Sequence, residues 1–153
     1  MVESHVPDFA ELSFRQGLLA DPATMAYNRA WGGTIDFPAA RWPAWYDAWV
    51  THPQGRRFYR YLRVGGTFVG EIAWHWDETL RLHLADVIVL AHFRGNGYGR
   101  AGLRLLCQSA REAGIARLYD DIAADNPAIG LFLSEGFVEE SRTNEIIMLK
   151  KTL

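Results

Sequence analysis

An α/β fold (α+β in the order of its elements) is predicted, built on a mixed central sheet of about six to seven strands with helices on both faces. Three observations predict it. From Arg57 to Leu90 the residues alternate with period two, interrupted by turn signals at Val64-Gly65-Gly66-Thr67 and Asp77-Glu78-Thr79, which gives three antiparallel strands. The β-forming run Ala85-Asp86-Val87-Ile88-Val89-Leu90 then passes through a glycine-rich stretch straight into a helical pattern. Beyond that helix a second β-forming run, Ile115 to Ile122, must lie parallel to its predecessor, as a strand–helix–strand crossover requires. The sheet is therefore antiparallel in its N-terminal part and carries one parallel pair. The 153 residues fit a single domain, 1–153, long enough to bury most of the surface of the unfolded chain.

Taken in order, Pro7-Asp8 starts a helix, since Phe9, Leu12, Gln16 and Leu19 then recur every three to four residues, to about Leu19. Asp21-Pro22 repeats the cap-then-proline signal for a short second helix through Tyr27, and Gly32-Gly33 breaks the chain. Trp42, Trp45, Tyr46 and Trp49 form a helical stripe whose regular part starts at Pro43. Most of these rings are expected in the core, with the remainder walling an acceptor pocket. The three antiparallel strands are Arg57 to Val64, Phe68 to Trp76 and Leu80 to Leu90. Gly114 closes the helix after the glycine stretch. Asn126-Pro127 opens a short helix through Ser134, Gly136 ends it, and strands at about Phe137–Glu140 and Glu145–Lys150 close the chain.

The stretch His92-Phe93-Arg94-Gly95-Asn96-Gly97-Tyr98-Gly99-Arg100 carries the chemistry. A strand, a glycine-rich turn and a helix start together make an anion site, because the glycines let backbone N–H groups converge and the helix start adds unpaired donors and a positive dipole end. The expected ligand is a phosphate or pyrophosphate. A Walker loop is excluded, since no Gly-Lys-Ser/Thr closes the turn. A dinucleotide fingerprint fits weakly: Gly95, Gly97 and Gly99 alternate strictly, although Asp120 and Asp121 lie about twenty residues on. A plain tight turn with convenient glycines is the third alternative.

Arg94-Gly95-Asn96-Gly97-Tyr98-Gly99 matches R-x-x-G-x-G, and this resembles the acyl-coenzyme A loop of the GNAT acyltransferase superfamily. About thirty residues on, Asp125-Asn126-Pro127-Ala128-Ile129-Gly130-Leu131-Phe132-Leu133-Ser134-Glu135-Gly136-Phe137 resembles the second half of that signature, N-x-x-A-x-x-(L/F)-(Y/F)-x-x-x-G-F. The resemblance covers about Ala85 to Phe137 and the order of elements on either side. It implies a GNAT fold with a V-shaped opening between the strands ending near Leu90 and Ile122. Acetyl-coenzyme A (acetyl-CoA) is the implied cosubstrate. On that resemblance Arg94, Gly95, Asn96, Gly97, Tyr98, Gly99 and Arg100 hold the pyrophosphate through backbone donors. The backbone of Val87 and Val89 pairs with the pantetheine arm and offers an N–H to the thioester oxygen. Asn126 either hydrogen-bonds that arm or is an ordinary cap before Pro127. Phe132 stands where the family often has a tyrosine that protonates the leaving thiolate, so the step proceeds without that acid, another donor serves, or turnover is slow.

Composition sets bounds. Hydrophobic residues make up 49% and charged residues 22%, as in an ordinary globular chain, and a net charge of −2 gives no strongly basic face for nucleic acid. Arg56, Arg57, Arg60 and Arg63 are locally basic but sit on a strand pattern. The single cysteine, Cys107, excludes an internal disulfide and reads as a core thiol. No apolar run approaches the length of a membrane span, so a cytoplasmic location and no membrane partner are expected. His75-x-Asp77 is too sparse for a metal site, and no metal is expected. As general base, His83 shares a strand face with Ala85, Val87 and Val89 by parity, Glu71 lies on the neighbouring strand, and Asp86 falls on the opposite face. His83 is favoured on pKa, and Glu71 is read as an anchor for a cationic acceptor. The function expected is direct acetyl transfer to a small amine or amino-acid-like acceptor. A coenzyme A sensor with little turnover is the rival, and a dinucleotide or nucleotide-sugar enzyme comes third. A homodimer is compatible with all three.

Overall fold

The computed structural model describes residues 1–153 as a seven-stranded sheet in the order β1-β2-β3-β4-β5-β7-β6. The strands are β1 (Val2–His5), β2 (Arg57–Val64), β3 (Thr67–Asp77), β4 (Leu82–Val89), β5 (Arg117–Ala123), β6 (Val138–Arg142) and β7 (Ile146–Thr152). Helices α1 (Leu12–Ala20), α2 (Trp42–Tyr46), α3 (Tyr98–Glu112) and α4 (Ala128–Ser134) cover its two faces. All neighbours are antiparallel except β4 and β5, which pair in parallel at Leu84↔Tyr119 alone. Beyond that pair the two strands part and leave an opening in the middle of the sheet.

The hairpin between β2 and β3 turns on Gly65 and Gly66, at φ of 55° and 85°, a left-handed pair that matches strand twist and that side chains resist. On one face α3 and α4 pack through Leu103, Leu106, Ala110 and Phe132 onto Leu62, Ile72, Leu118 and Leu149. Gly102 brings α3 close: a Cβ there would meet Leu62 Cδ1 at 2.7 Å and Ile72 Cγ2 at 3.2 Å. On the other face α1 buries Leu12 and Leu19 with Met25 and Phe37. The aromatic stripe covers this side: Trp42, Trp45 and Tyr46 pack on that cluster, and Trp45 and Trp49 on Tyr59 and Tyr61.

Several expectations change. The helix expected from Asp8 begins with a 3-10 turn at Phe9–Glu11, closed by a reciprocal Asp8–Glu11 capping box, before α1 proper. The short helix expected from Asp21 to Tyr27 is a series of turns, in which the Thr24 hydroxyl donates to Asp21 Oδ2 and accepts from Ala91 N–H while the Thr24 carbonyl accepts from Arg94. The stripe does not run as one α-helix: α2 widens into a π-turn at Asp47–Thr51. The third strand starts at Leu82, since Arg81 takes a left-handed φ of 55° and Leu80 N–H caps on Asp77 Oδ1. Strand β1 had no signal in a polar N-terminus; it forms because β2 offers it an edge. No helix is long and apolar enough to cross a membrane.

Candidate functional site

The opening between β4 and β5 deepens into a cleft of about 470 Å³. It is walled by the end of β4, the loop of residues 93–100, β5 and the start of α4, and is roofed by Thr24, Tyr27 and Trp31. Past Leu84 the β5-facing edge of β4 has no strand partner, so alternate backbone groups of Asp86 to Val89 are free to pair with an extended ligand.

At the mouth, Gly95 and Gly97 adopt left-handed φ of 83° and 79°, and Gly97 caps the fifteen-residue α3. No backbone N–H from Gly95 to Arg100 donates to another protein group. Six unpaired donors at the start of a long helix are a cradle for an anion. The arginine side chains of the loop do other work. Arg94 donates to the carbonyls of Thr24 (2.8 Å) and Ala23 (3.5 Å), while Ala91 N–H bonds Thr24 Oγ1 at 2.9 Å, so the 23–24 segment is locked onto the loop. Arg100 and Arg104 both clamp Glu135, each at 2.6 Å, and hold its carboxyl down at about 2, the Arg104 hydrogen bond contributing most. An incoming phosphate therefore meets the backbone, and these two side chains brace it.

Val87, Val89, Arg94, Gly95, Gly97, Tyr98, Gly99, Arg100, Asn126 and Phe132 all line the cleft, and Asn96 shapes the loop through Nδ2 donating to Phe93 O at 2.9 Å. Asn126 does two things at once: Oδ1 accepts from Ala128 N–H at 2.9 Å as a cap, and Nδ2 is left free. Counting back from Ala128, the first position of the second motif falls on Asp125, one residue before Asn126; Asp125 is exposed and pairs with Arg29 at 3.2 Å. Phe132 is buried and packs edge-on against Phe137 at 5.1 Å, presenting a bare ring to the cleft.

Neither expected base lines the cleft. His83 has the expected parity but sits at the far end of β4, its ring between those of Trp74 and Trp76, where burial lowers its pKa. Parity specifies a face, not a position along the strand. Glu71 is buried beneath α1, where it accepts from Tyr59 Oη and faces Arg15 Nε at 3.7 Å. The cleft instead brings in Asp86, Asp120 and Asp121, which the sequence reading had set aside or considered only for a dinucleotide. The overlooked signal was a pair of adjacent carboxylates inside an apolar strand, Leu118-Tyr119-Asp120-Asp121-Ile122. Of the large aromatics between Trp31 and Trp49, only Trp31 reaches the cleft. Cys107 is buried in the core, and burial pushes its thiol up, which leaves it no nucleophilic part. No group of three His, Cys, Asp or Glu side chains is placed to hold a metal.

A mixed sheet opened at one parallel pair, with unpaired N–H groups at the mouth, defines an α/β architecture that offers a strand edge and an anion cradle in one cleft. The sequence pattern of the Acetyltransferase (GNAT) family matches residues 23–137, and the chain belongs to that family. Among curated proteins none matches the sequence. Among solved structures the chain is similar to a ribosomal-protein-alanine N-acetyltransferase from Brucella melitensis (22% identity, TM-score 0.77, 100% of this chain and 99% of that one). It is also similar to the PaiA N-acetyltransferase from Thermoplasma acidophilum in complex with coenzyme A (10%, 0.74, 100% and 99%). A third likeness is to a spermidine N-acetyltransferase from Vibrio cholerae in complex with coenzyme A and spermine (17%, 0.79, 99% and 95%). At these identities the likeness establishes the fold.

Proposed function

We propose that this protein moves the acetyl group of acetyl-coenzyme A directly onto the amine of a small acceptor, with no covalent enzyme intermediate. The observation that carries the reading is the row of six unpaired N–H groups from Gly95 to Arg100, set at the mouth of a strand-edge cleft. The cradle suits the pyrophosphate, and the free edge of β4 at Val87 and Val89 suits the amides of the pantetheine arm. A backbone N–H of the same edge suits the thioester oxygen as charge develops there. Asn126 Nδ2 supplies one more donor to the arm. The cleft contains no cysteine or serine, and the Thr24 hydroxyl is engaged by Asp21 and Ala91, which supports transfer from sulfur to nitrogen in one complex. The names of two structural neighbours, a ribosomal-protein-alanine N-acetyltransferase and a spermidine N-acetyltransferase, support an amine as the nucleophile.

Release of free coenzyme A thiol, followed with acetyl-coenzyme A and a panel of primary amines, tests the reading. Amine-dependent release with a matching acetylated product in the mass spectrum is expected. Binding of acetyl-coenzyme A with no release above hydrolysis would favour a sensor, for which Phe132 is the one supporting feature. Phe132→Tyr adds a hydroxyl on the cleft side of α4. Turnover is expected to rise or stay level with little change in affinity for acetyl-coenzyme A, since an unperturbed thiol of pKa about 8.5 leaves tolerably well as an anion. A large loss of affinity in that variant would show that position 132 is a tight apolar contact instead.

A further inference from the structure

Resting on the acetyl-transfer reading above, we propose that the floor of the cleft is a seat for the acceptor's primary ammonium group, formed by Asp86 and Asp120, and that Asp86 takes its proton. The register brings these residues to the point where the strands part, by parity from opposite faces of the sheet. Strands β4 and β5 run parallel and touch only at Leu84↔Tyr119, so Asp86, two residues on, and Asp120, one residue on, flank the point where the strands part. Both line the cleft, with Asp121 beside them.

Asp120 is the independent sign of a ligand. It is only 7% exposed, and nothing in the protein donates a hydrogen bond to it. Its oxygens are not sealed off but meet the solvent of the cleft, where an incoming N–H would supply the donor that the protein does not. Glu71, equally buried, shows the contrast, since Tyr59 donates to it and the Arg15 guanidinium lies 3.7 Å away. Asp86 is open to solvent by area, but the solvent it meets is that of the cleft, and protein surrounds it elsewhere.

The charges facing Asp86 are Glu71 from β3, Arg15 from α1, and Asp120 and Asp121 from β5, with His75 and Asp77 beyond Asp121. Surrounding protein first, then Glu71 and Asp121, push the Asp86 carboxyl up to about 7, and burial, then Asp86 and Asp121, raise Asp120 well above the usual carboxylate range. A carboxylate that titrates near neutrality is matched to receiving an ammonium proton. Asp120 then serves as a positioning residue, its carboxyl oxygens accepting from the ammonium, and a bound cation draws these raised carboxyls toward their charged form.

The step balances. The ammonium gives one proton to Asp86; the freed amine forms a C–N bond at the thioester carbonyl. Collapse breaks the C–S bond, the second nitrogen proton ends on the departing thiolate, and Asp86 returns its proton to solvent.

The test uses Asp86→Asn and Asp120→Asn with acetyl-coenzyme A and ethanolamine, putrescine, spermidine, benzylamine and amino-acid amides as probes. For any amine that the wild type acetylates, Asp86→Asn is expected to lower kcat at least ~100-fold and remove the acidic limb of the pH profile, with the affinity for acetyl-coenzyme A unchanged. Asp120→Asn is expected to raise KM for the amine while leaving the limb in place, since Glu71 and Asp121 rather than Asp120 bear on the Asp86 titration. A readout independent of turnover is the melting temperature. The folded protein holds protons on these carboxyls above about pH 3.9, where unfolded aspartate has lost them, so stability falls as pH rises through that range. Asp120→Asn is therefore expected to melt higher than wild type at neutral and alkaline pH, the difference closing in acid.

Wild-type kcat and pH profile in Asp86→Asn would overturn the ammonium seat while leaving acetyl transfer standing. Acetylation of hydroxyl or thiol acceptors but none of the amines would also overturn it, as would a lowered melting temperature in Asp120→Asn at every pH. Failure to bind acetyl-coenzyme A would sink the parent reading instead.

Discussion

Gly97→Glu is expected to lose acetyl-coenzyme A by at least ~100-fold in Kd while the protein stays folded, since forfeiting even one or two charge-assisted hydrogen bonds amounts to roughly 1.5–3 kcal/mol each. Gly97 sits in the left-handed region at φ 79°, at the cap of α3. A Cβ there meets nothing within 4 Å, so the added side chain has room and brings a negative charge to the cradle that would hold a phosphate. The backbone strain of a non-glycine residue costs about 1–2 kcal/mol, a tolerable fraction of the stability of a domain. Gly97→Ala shares that strain without the charge and is the control. Calorimetry should find it weakened far less than Gly97→Glu. Equal affinities for wild type and folded Gly97→Glu would remove the loop from cofactor binding.

Glu71→Ala is expected to be among the most destabilising single changes in the chain, by about 3–5 kcal/mol, the usual loss when one partner of a buried ion pair is deleted. Its carboxylate sits at the centre of a closed arrangement. Tyr59 donates to it, and the Arg15 guanidinium faces it from 3.7 Å while lying 4.4 Å and 4.5 Å from the ring centres of Trp45 and Phe37. Removing Glu71 leaves a cation and a phenol without an anion under an aromatic cover. Burial, and after it the Glu71 charge, already holds the Tyr59 phenol well above its ordinary value, so Tyr59 cannot ionise to adapt. Glu71→Gln keeps an acceptor for Tyr59 and should lose less. Adding Arg15→Met to Glu71→Ala should recover part of the loss, as interacting sites are non-additive. Urea unfolding reads this directly, and a Glu71→Ala loss under about 1 kcal/mol would show that the pair contributes little.

How much of this was legible beforehand depends on the range over which each feature is determined. The hairpin at Gly65-Gly66, the βα unit through Gly95–Gly99 and the parallel crossover into β5 are local, and turn chemistry and period alone specified them. The cleft lining from Val87 to Arg100 followed from the same local signals. What failed to show was set by long-range partners. Strand β1 exists because β2 has an edge to offer, and the turns of residues 22–27 are tied to Arg94 and Ala91, far along the chain. The expected bases fall outside the cleft for a related reason. Parity assigned His83 and Asp86 to faces correctly, but at the place where two parallel strands separate, the cleft reaches both faces of the sheet. A residue on either face near Leu84↔Tyr119 can line it, while His83, on the favoured face, lies past the point of closure.

The most direct test of acetyl-coenzyme A lying along the cleft is an amide NMR titration of the whole protein with that compound. Saturating shifts are expected at Gly95 to Arg100, at Val87 and Val89, and at the Asn126 side-chain amide, with His83 and Glu71 unmoved. Shifts absent from Gly95–Arg100, or concentrated on the surface of α2, would contradict it.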